Sequence, residues 1–253
     1  MLTFGLLVQL VAEIMAGDTT GIPVYVALNQ PYPQIYVDGI LDDSAWDNIQ
    51  HTKSFYNNSP DKLFKSMLPY EKNDAKIFYD DGALYIGLYA EDDKIISSKL
   101  MRDSDVFLYD AFEVFIDPVG DGSAYLELEI NPDNSIYDAW VLFDGKPVSI
   151  EDSKKFNIEN LRHAVHIQKK IHSNSIKYIW TSEIVIPFSS IPVKNFTRNM
   201  SKPWRVNICR TDKDNIKRKS KLYAWSPTNS WFHVPDKFGK LFFFDEKIEN
   251  KNR

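Results

Sequence analysis

From residue 34 onward apolar and polar residues alternate in short runs, the spacing that a strand with two different faces requires. The clearest pair, 75–80 and 83–91, is joined by Asp81-Gly82, and a two-residue Asp-Gly connection between alternating runs predicts a hairpin. Residues 110–117 form a third run, closed by Pro118-Val119-Gly120-Asp121-Gly122. Runs 124–131 and 136–143 follow, with Asn131-Pro132-Asp133-Asn134 as the turn between them. This middle part reads as an antiparallel meander. Later strands are predicted at 163–167, 176–186, 204–211, 222–225 and 239–244, and short helical turns at 42–49, 187–191 and 235–238. No segment of helical period exceeds about two turns, which excludes a parallel α/β fold. The expected fold class is all-β: an antiparallel two-sheet β-sandwich of the jelly-roll kind with a few short helical turns.

The chain has 253 residues, a length that all-β sandwiches reach as one domain. Without repeats or low-complexity segments it divides into a leader over 1–17, a single domain over 18–245 and a charged tail over 246–253. The leader carries a short apolar stretch and a small residue before Gly17, resembling a secretory signal without its usual basic start, so an extracellular location is expected. No other segment approaches the ~18 apolar residues of a membrane span. Sequons at Asn57, Asn195 and Asn199 suit a eukaryotic secretory route and equally suit chance in an Asn-rich chain.

A formal net charge of −5 argues against a nucleic-acid partner. The basic run 213–221 has no interleaved aromatics and reads as a solvated loop between strands. Cys209 stands alone, which rules out an internal disulfide or a multi-cysteine metal site. Aromatic residues make up 14% of the chain, an excess that fits a β-rich core and a stacking platform alike.

Three blocks carry a resemblance. The first is Ile35-Tyr-Val-Asp38-Gly39-Ile-Leu41-Asp-Asp-Ser-Ala45-Trp46, the second Asp110-Ala-Phe-Glu113-Val-Phe-Ile-Asp117, and the third Tyr223-Ala-Trp225-Ser-Pro227-Thr-Asn229-Ser-Trp231-Phe-His-Val-Pro235-Asp-Lys-Phe238-Gly239. Together they resemble family 9 carbohydrate-binding modules, within the wider DOMON-like group of sandwiches. The resemblance implies a non-catalytic domain that binds an oligosaccharide or polysaccharide and is associated with a glycoside hydrolase. It also implies that Trp231 stacks on a pyranose face, Asn229 holds hydroxyls, Glu113 hydrogen-bonds the sugar, and an aromatic six positions before Glu113 walls the slot. That position is Phe107, where members of known specificity have tryptophan, and Tyr109 lies near enough to share the role. Glu129 stands where those members carry arginine.

The residues have content of their own. Alternation puts Ala111, Glu113, Phe115 and Asp117 on one face of their strand, and Tyr125, Glu127, Glu129 and Asn131 on one face of the next. A buried carboxylate must find donors, so Glu113 reads either as a sugar contact or as a structural pair with Arg210. The Glu127–Glu129–Asn131 row reads either as a hydroxyl-binding row or as a solvated outer face. Pro227 and Asn229 bend the chain out of its strand, which makes Trp231 a loop platform, with Arg210 as a further planar partner for hydroxyls. Trp46, Trp204 and Trp225 read as core.

The same residues admit other chemistries. Glycoside hydrolysis needs two differentiated carboxylates, and Asp110, Glu113, Glu127 and Glu129 are conceivable members of such a pair. Some DOMON-like domains bind haem, but His163 and His166 lie three apart on a strand and face opposite sides; Met101 is the other candidate. No cofactor is required by this reading, while Asp117 and Asp121, or Asp42 and Asp43, could offer oxygen ligands to a structural calcium.

Overall fold

The computed structural model describes residues 20–58, 72–144, 153–172, 175–194, 196–217 and 219–245. The leader 1–17, the tail 246–253 and the Asn195 sequon lie outside them. Twelve strands carry the fold: β1 (Val24–Asn29), β2 (Tyr56–Asn57), β3 (Asn73–Tyr79), β4 (Ala83–Asp92), β5 (Ala111–Asp117), β6 (Ala124–Ile130), β7 (Ile136–Leu142), β8 (Arg162–His172), β9 (Ser175–Pro187), β10 (Trp204–Asp212), β11 (Lys221–Ala224) and β12 (Gly239–Phe244). Short 3-10 turns stand at Ser44–Trp46, Phe188–Ser190 and Pro235–Lys237, each inside a predicted helical turn. A fourth, Val106–Leu108, was not foreseen.

Ten of these strands follow one hydrogen-bonded path, β7-β6-β5-β10-β12-β1-β3-β4-β9-β8, and β11 branches from β10 to carry β2. The two halves of the path fold face to face. Phe112 of β5 meets Trp180 of β9 with ring centroids 4.6 Å apart, and one buried cluster draws Val114, Leu128 and Ile208 from one half and Ile86, Leu88 and Ile184 from the other. Each large apolar side chain buried there contributes about 1.5–3 kcal/mol. The expected antiparallel pattern needs one amendment. β1 pairs in parallel with both β12 and β3, because it threads between the halves where the path turns, a placement set by tertiary packing alone.

The first sequence block closes this frame at one end. Trp46 Nε1 donates to Glu183 Oε1 at 2.9 Å, and the backbone N–H groups of Asp38 and Gly39 donate to Glu183 Oε2, each at 2.9 Å. Gly39 has φ +90°, and a Cβ there would meet the backbone of Val165 and His166 at 2.5 Å. Trp46 is 1% exposed, a structural residue as expected.

Candidate functional site

The outer face of the β7-β6-β5-β10 half is covered, and the site lies under that cover. Phe112, Val114 and Ile116 face the sandwich core, whereas Ala111 and Phe115 join a second cluster with Tyr125, Tyr137, Cys209, Phe232 and Phe238. The turn Val106–Leu108 and the loop following β11 roof this cluster, with Val106, Phe232 and Phe238 as the buried anchors.

Within it stand three carboxylates. Glu113 of β5 pairs directly across the strands with Glu129 of β6, and Glu127 lies two residues along β6. One oxygen of each lies within 4.8 Å of the others. All three residues are 4% exposed, so the polar row of β6 is no solvated face. Glu113 accepts a hydrogen bond from Thr211 Oγ1 at 2.8 Å. His233 places Nε2 3.4 Å from Glu127 Oε1 and Nδ1 2.8 Å from Tyr125 Oη. Glu129 Oε2 is buried and accepts no hydrogen bond among the described residues.

Burial dominates the electrostatics. Loss of solvation pushes Glu113 up to about 7 against the help of the Thr211 hydroxyl. Glu127 and Glu129 are pushed well above the usual carboxylate range, first by burial and then by the charge of their neighbours. The backbone N–H of Phe107 opposes that shift at Glu129. Burial lowers His233 to about 4. The imidazole and the nearest carboxyl are thus both driven toward their neutral forms.

Aromatic side chains rim the triad. Trp231 is 53% exposed, and its ring lies 5.4 Å from that of His233, centroid to centroid. Phe107, 46% exposed, stands on the Val106–Leu108 turn beside Glu129, with Tyr109 half-buried at the end of that turn. Trp231 and Phe107, the residues expected to form a platform and a smaller wall, therefore stand toward the Glu127 and Glu129 ends of one carboxylate group.

A network fixes the Trp231 loop. Asn58, wholly buried, receives the N–H groups of Thr228 and Asn229 on Oδ1 at 2.7 and 3.0 Å. Its Nδ2 donates to Thr228 Oγ1 and the Ser230 carbonyl at 2.9 and 2.8 Å. Thr228 Oγ1 in turn donates to the Trp231 carbonyl at 2.8 Å. Asn229 adopts φ 58°, the left-handed conformation asparagine tolerates, and its side chain is exposed at the rim. Below, Trp225 is 2% exposed and lies over Gly239, where a Cβ would strike the indole ring at 2.3 Å. Trp225 and Trp204 are core residues, as read.

Arg210 is the main correction. Cys209 is the β10 residue that pairs with Glu113; Arg210 pairs with Phe112 and points to the opposite face. There Arg210 donates to Asn73 Oδ1 and Asp92 Oδ2, both at 2.5 Å, and to the Glu91 carbonyl at 2.8 Å. It neither pairs with Glu113 nor reaches the rim, because a step of one residue along a strand reverses the side chain. Asp110 also leaves the site. It joins Asp92 and Asp212 near Arg210 and accepts the backbone N–H groups of Ile96 and Lys213 at 2.6 and 2.7 Å. Asn131 is buried in its turn, bonded to Ser98 and Ser135.

Asp117 and Asp121 shape the turn they stand in. Asp117 accepts the N–H groups of Val119, Gly120 and Gly122, and Asp121 accepts both the N–H and the hydroxyl of Ser123. Among the described residues neither belongs to a group of three or more His, Cys, Asp or Glu side chains. For haem, His163 is engaged with Asn134 Oδ1 at 2.7 Å and Met101 is an exposed surface residue.

The sequence reading missed Asn58 and His233. Asn58 holds a loop 170 residues away, so no local pattern could announce it. His233 carried a usable hint, since it stands two residues after the platform tryptophan.

Solved structures of similar fold include a protein from Bacteroides uniformis proposed to bind carbohydrate, with a TM-score of 0.62, 16% identity, and coverage of 88% of this chain and all of that one. A family 9 carbohydrate-binding module from Caldicellulosiruptor kristjanssonii in complex with cellotriose matches with a TM-score of 0.53 and 14% identity over 88% of this chain and 96% of that one. Its complex with glucose gives 0.51 and 15% over the same shares. In sequence, an extracellular protein of Arthroderma benhamiae is 27% identical over 191 residues, 72% of this chain and 83% of that protein. The profile of the carbohydrate family 9 binding domain-like family matches residues 37–245, and the chain belongs to that family.

Proposed function

We propose that the protein is a non-catalytic carbohydrate-binding module that docks the apolar face of a sugar ring on Trp231 and meets its hydroxyls with Glu113, Glu129 and Asn229. The observation that carries this reading is a half-exposed tryptophan on a loop whose backbone is fixed by the buried Asn58, with its ring against His233, which in turn reaches Glu127 of the carboxylate triad. Aromatic faces bind the C–H side of a pyranose, while a few placed polar groups fix its orientation. Family membership and neighbours crystallised with cellotriose and glucose support the same conclusion. The Arthroderma relative, named as an extracellular protein, supports an extracellular place of action.

The carboxylates support binding over hydrolysis. A glycosidase sets two carboxyl environments apart, one kept protonated and one ionised. Here burial raises Glu113, Glu127 and Glu129 together, and none of the three is held below the usual carboxylate range as a nucleophile kept ionised would be.

Calorimetric titration with xylo- and cello-oligosaccharides tests the proposal on wild type and Trp231→Ala. A saturable isotherm that weakens at least ten-fold in the variant is expected. Unchanged affinity in the variant, or release of reducing sugar from these substrates, would overturn it.

A further inference from the structure

Three buried carboxylates within 4.8 Å of one another are a poor match for a neutral sugar, whose hydroxyls ask for mixed donors and acceptors. Lys154 lies over the Tyr137 ring at 5.7 Å and pairs with Asp105 at 3.6 Å, but among the described residues no lysine or arginine makes an ion pair with the three carboxylates. The group facing the triad from the roof loop is His233, which burial keeps neutral, and Asp105 adds further negative charge at Glu129. Tyr125, Tyr137, Cys209 and Thr211 complete the titratable and polar lining. Glu129 is 4% exposed and its Oε2 takes no hydrogen bond among the described residues, an acceptor left over inside the group.

Resting on the carbohydrate-binding reading, the geometry points to a sugar that bears an ammonium group, a 2-amino-2-deoxyhexose or its β-linked oligomer, with the ammonium seated among Glu113, Glu127 and Glu129 and the ring stacked on Trp231. An ammonium has three N–H donors for three carboxylates, and charge-assisted hydrogen bonds are the stronger kind. A bare calcium ion asks for six to eight oxygens, whereas this lining is completed by Phe115, Phe232, Phe238 and the Cys209 thiol. A bare ion would also leave the exposed faces of Trp231 and Phe107 without use. Seating a cation favours ionised carboxylates, so binding of the amino sugar releases protons that the free site holds.

Calorimetric titration at pH 6 compares a glucosamine tetramer, an N-acetylglucosamine tetramer and cellotetraose as ligands of the full chain. The glucosamine tetramer binds at least ten-fold tighter than either neutral oligomer, and its apparent enthalpy changes with the ionisation enthalpy of the buffer as protons are released. In Glu129→Gln the ratio of glucosamine to cellotetraose affinity falls at least ten-fold; the wild-type proton release tests the idea independently should that variant fail to fold. Cellotetraose binding as well as the glucosamine tetramer, with Trp231 dependence intact, overturns the ammonium site and leaves the module reading standing. Failure of every sugar overturns both. Calcium chloride alone binding to the triad, with loss in Glu129→Gln, also overturns the ammonium assignment and makes the triad a metal site.

Discussion

Glu113 and Glu129 face each other as a direct cross-strand pair, and both are 4% exposed. Two carboxylates so placed cannot both ionise cheaply out of water. Their protonation is therefore tied to folding. Glu113 at about 7 and Asp110 at about 8 in the folded protein lie above their values in an unfolded chain, so between about pH 4 and 8 the native state holds protons that the unfolded state has released. Stability from these groups is complete at acid pH and is lost as pH rises through about 7 to 8. Chemical denaturation from pH 5 to pH 8.5 should show a falling unfolding free energy. In Glu129→Gln the decline should flatten and stability at pH 8.5 should rise by about 1–3 kcal/mol, one pKa unit being worth ~1.4 kcal/mol.

The two tryptophans that flank the 228–229 bend, Trp225 and Trp231, should separate binding from folding when each is replaced by alanine. Trp231→Ala removes a half-exposed ring and should lower sugar affinity at least ten-fold with stability within about 0.5 kcal/mol of wild type. Trp225→Ala empties a fully buried position over Gly239 and should cost about 3–5 kcal/mol. Paired titration and urea unfolding of the two variants provide the check.

Asn58 should behave as a binding residue without touching sugar. Its amide serves Thr228, Asn229 and Ser230 from a wholly buried position. Asn58→Leu leaves those backbone groups unsatisfied, at about 1–3 kcal/mol, and frees the loop that aims Trp231. The expected result is a loss of affinity close to that of Trp231→Ala together with a lowered unfolding midpoint; normal affinity would show that the loop holds its shape unaided.

Arg210 makes the converse case. Fully buried and bonded to Asn73 and Asp92, it should cost about 3–5 kcal/mol as Arg210→Ala, since the buried carboxylate of Asp92 would lose its ion-pair partner. Sugar affinity per folded molecule should stay within two-fold of wild type, because Arg210 lies on the far face of β10 from Glu113. Affinity measured at a temperature where the variant is folded decides between this placement and a direct role in binding.

By itself the sequence determined ten of the twelve strands found among the described residues, all but β1 and β2, together with the hairpins, the three short helical turns within 42–49, 187–191 and 235–238, and the loop position of Trp231. These rest on local physics: side-chain alternation, turn chemistry and the left-handed tolerance of asparagine act over a few residues and can be read from a few residues. Alternation likewise put Glu113 and Glu129 on defined faces of their own strands. What it left open was which face met which, and only the tertiary structure decided that. The register that pairs Cys209 with Glu113 turned Arg210 away; the roof built by Val106, Phe232 and Phe238 turned a row that could have been solvated into a buried triad. The parallel placement of β1 and the hold of Asn58 on Thr228 belong to the same class. Each depends on segments far apart in the chain meeting in one register, and no short window of sequence encodes that meeting.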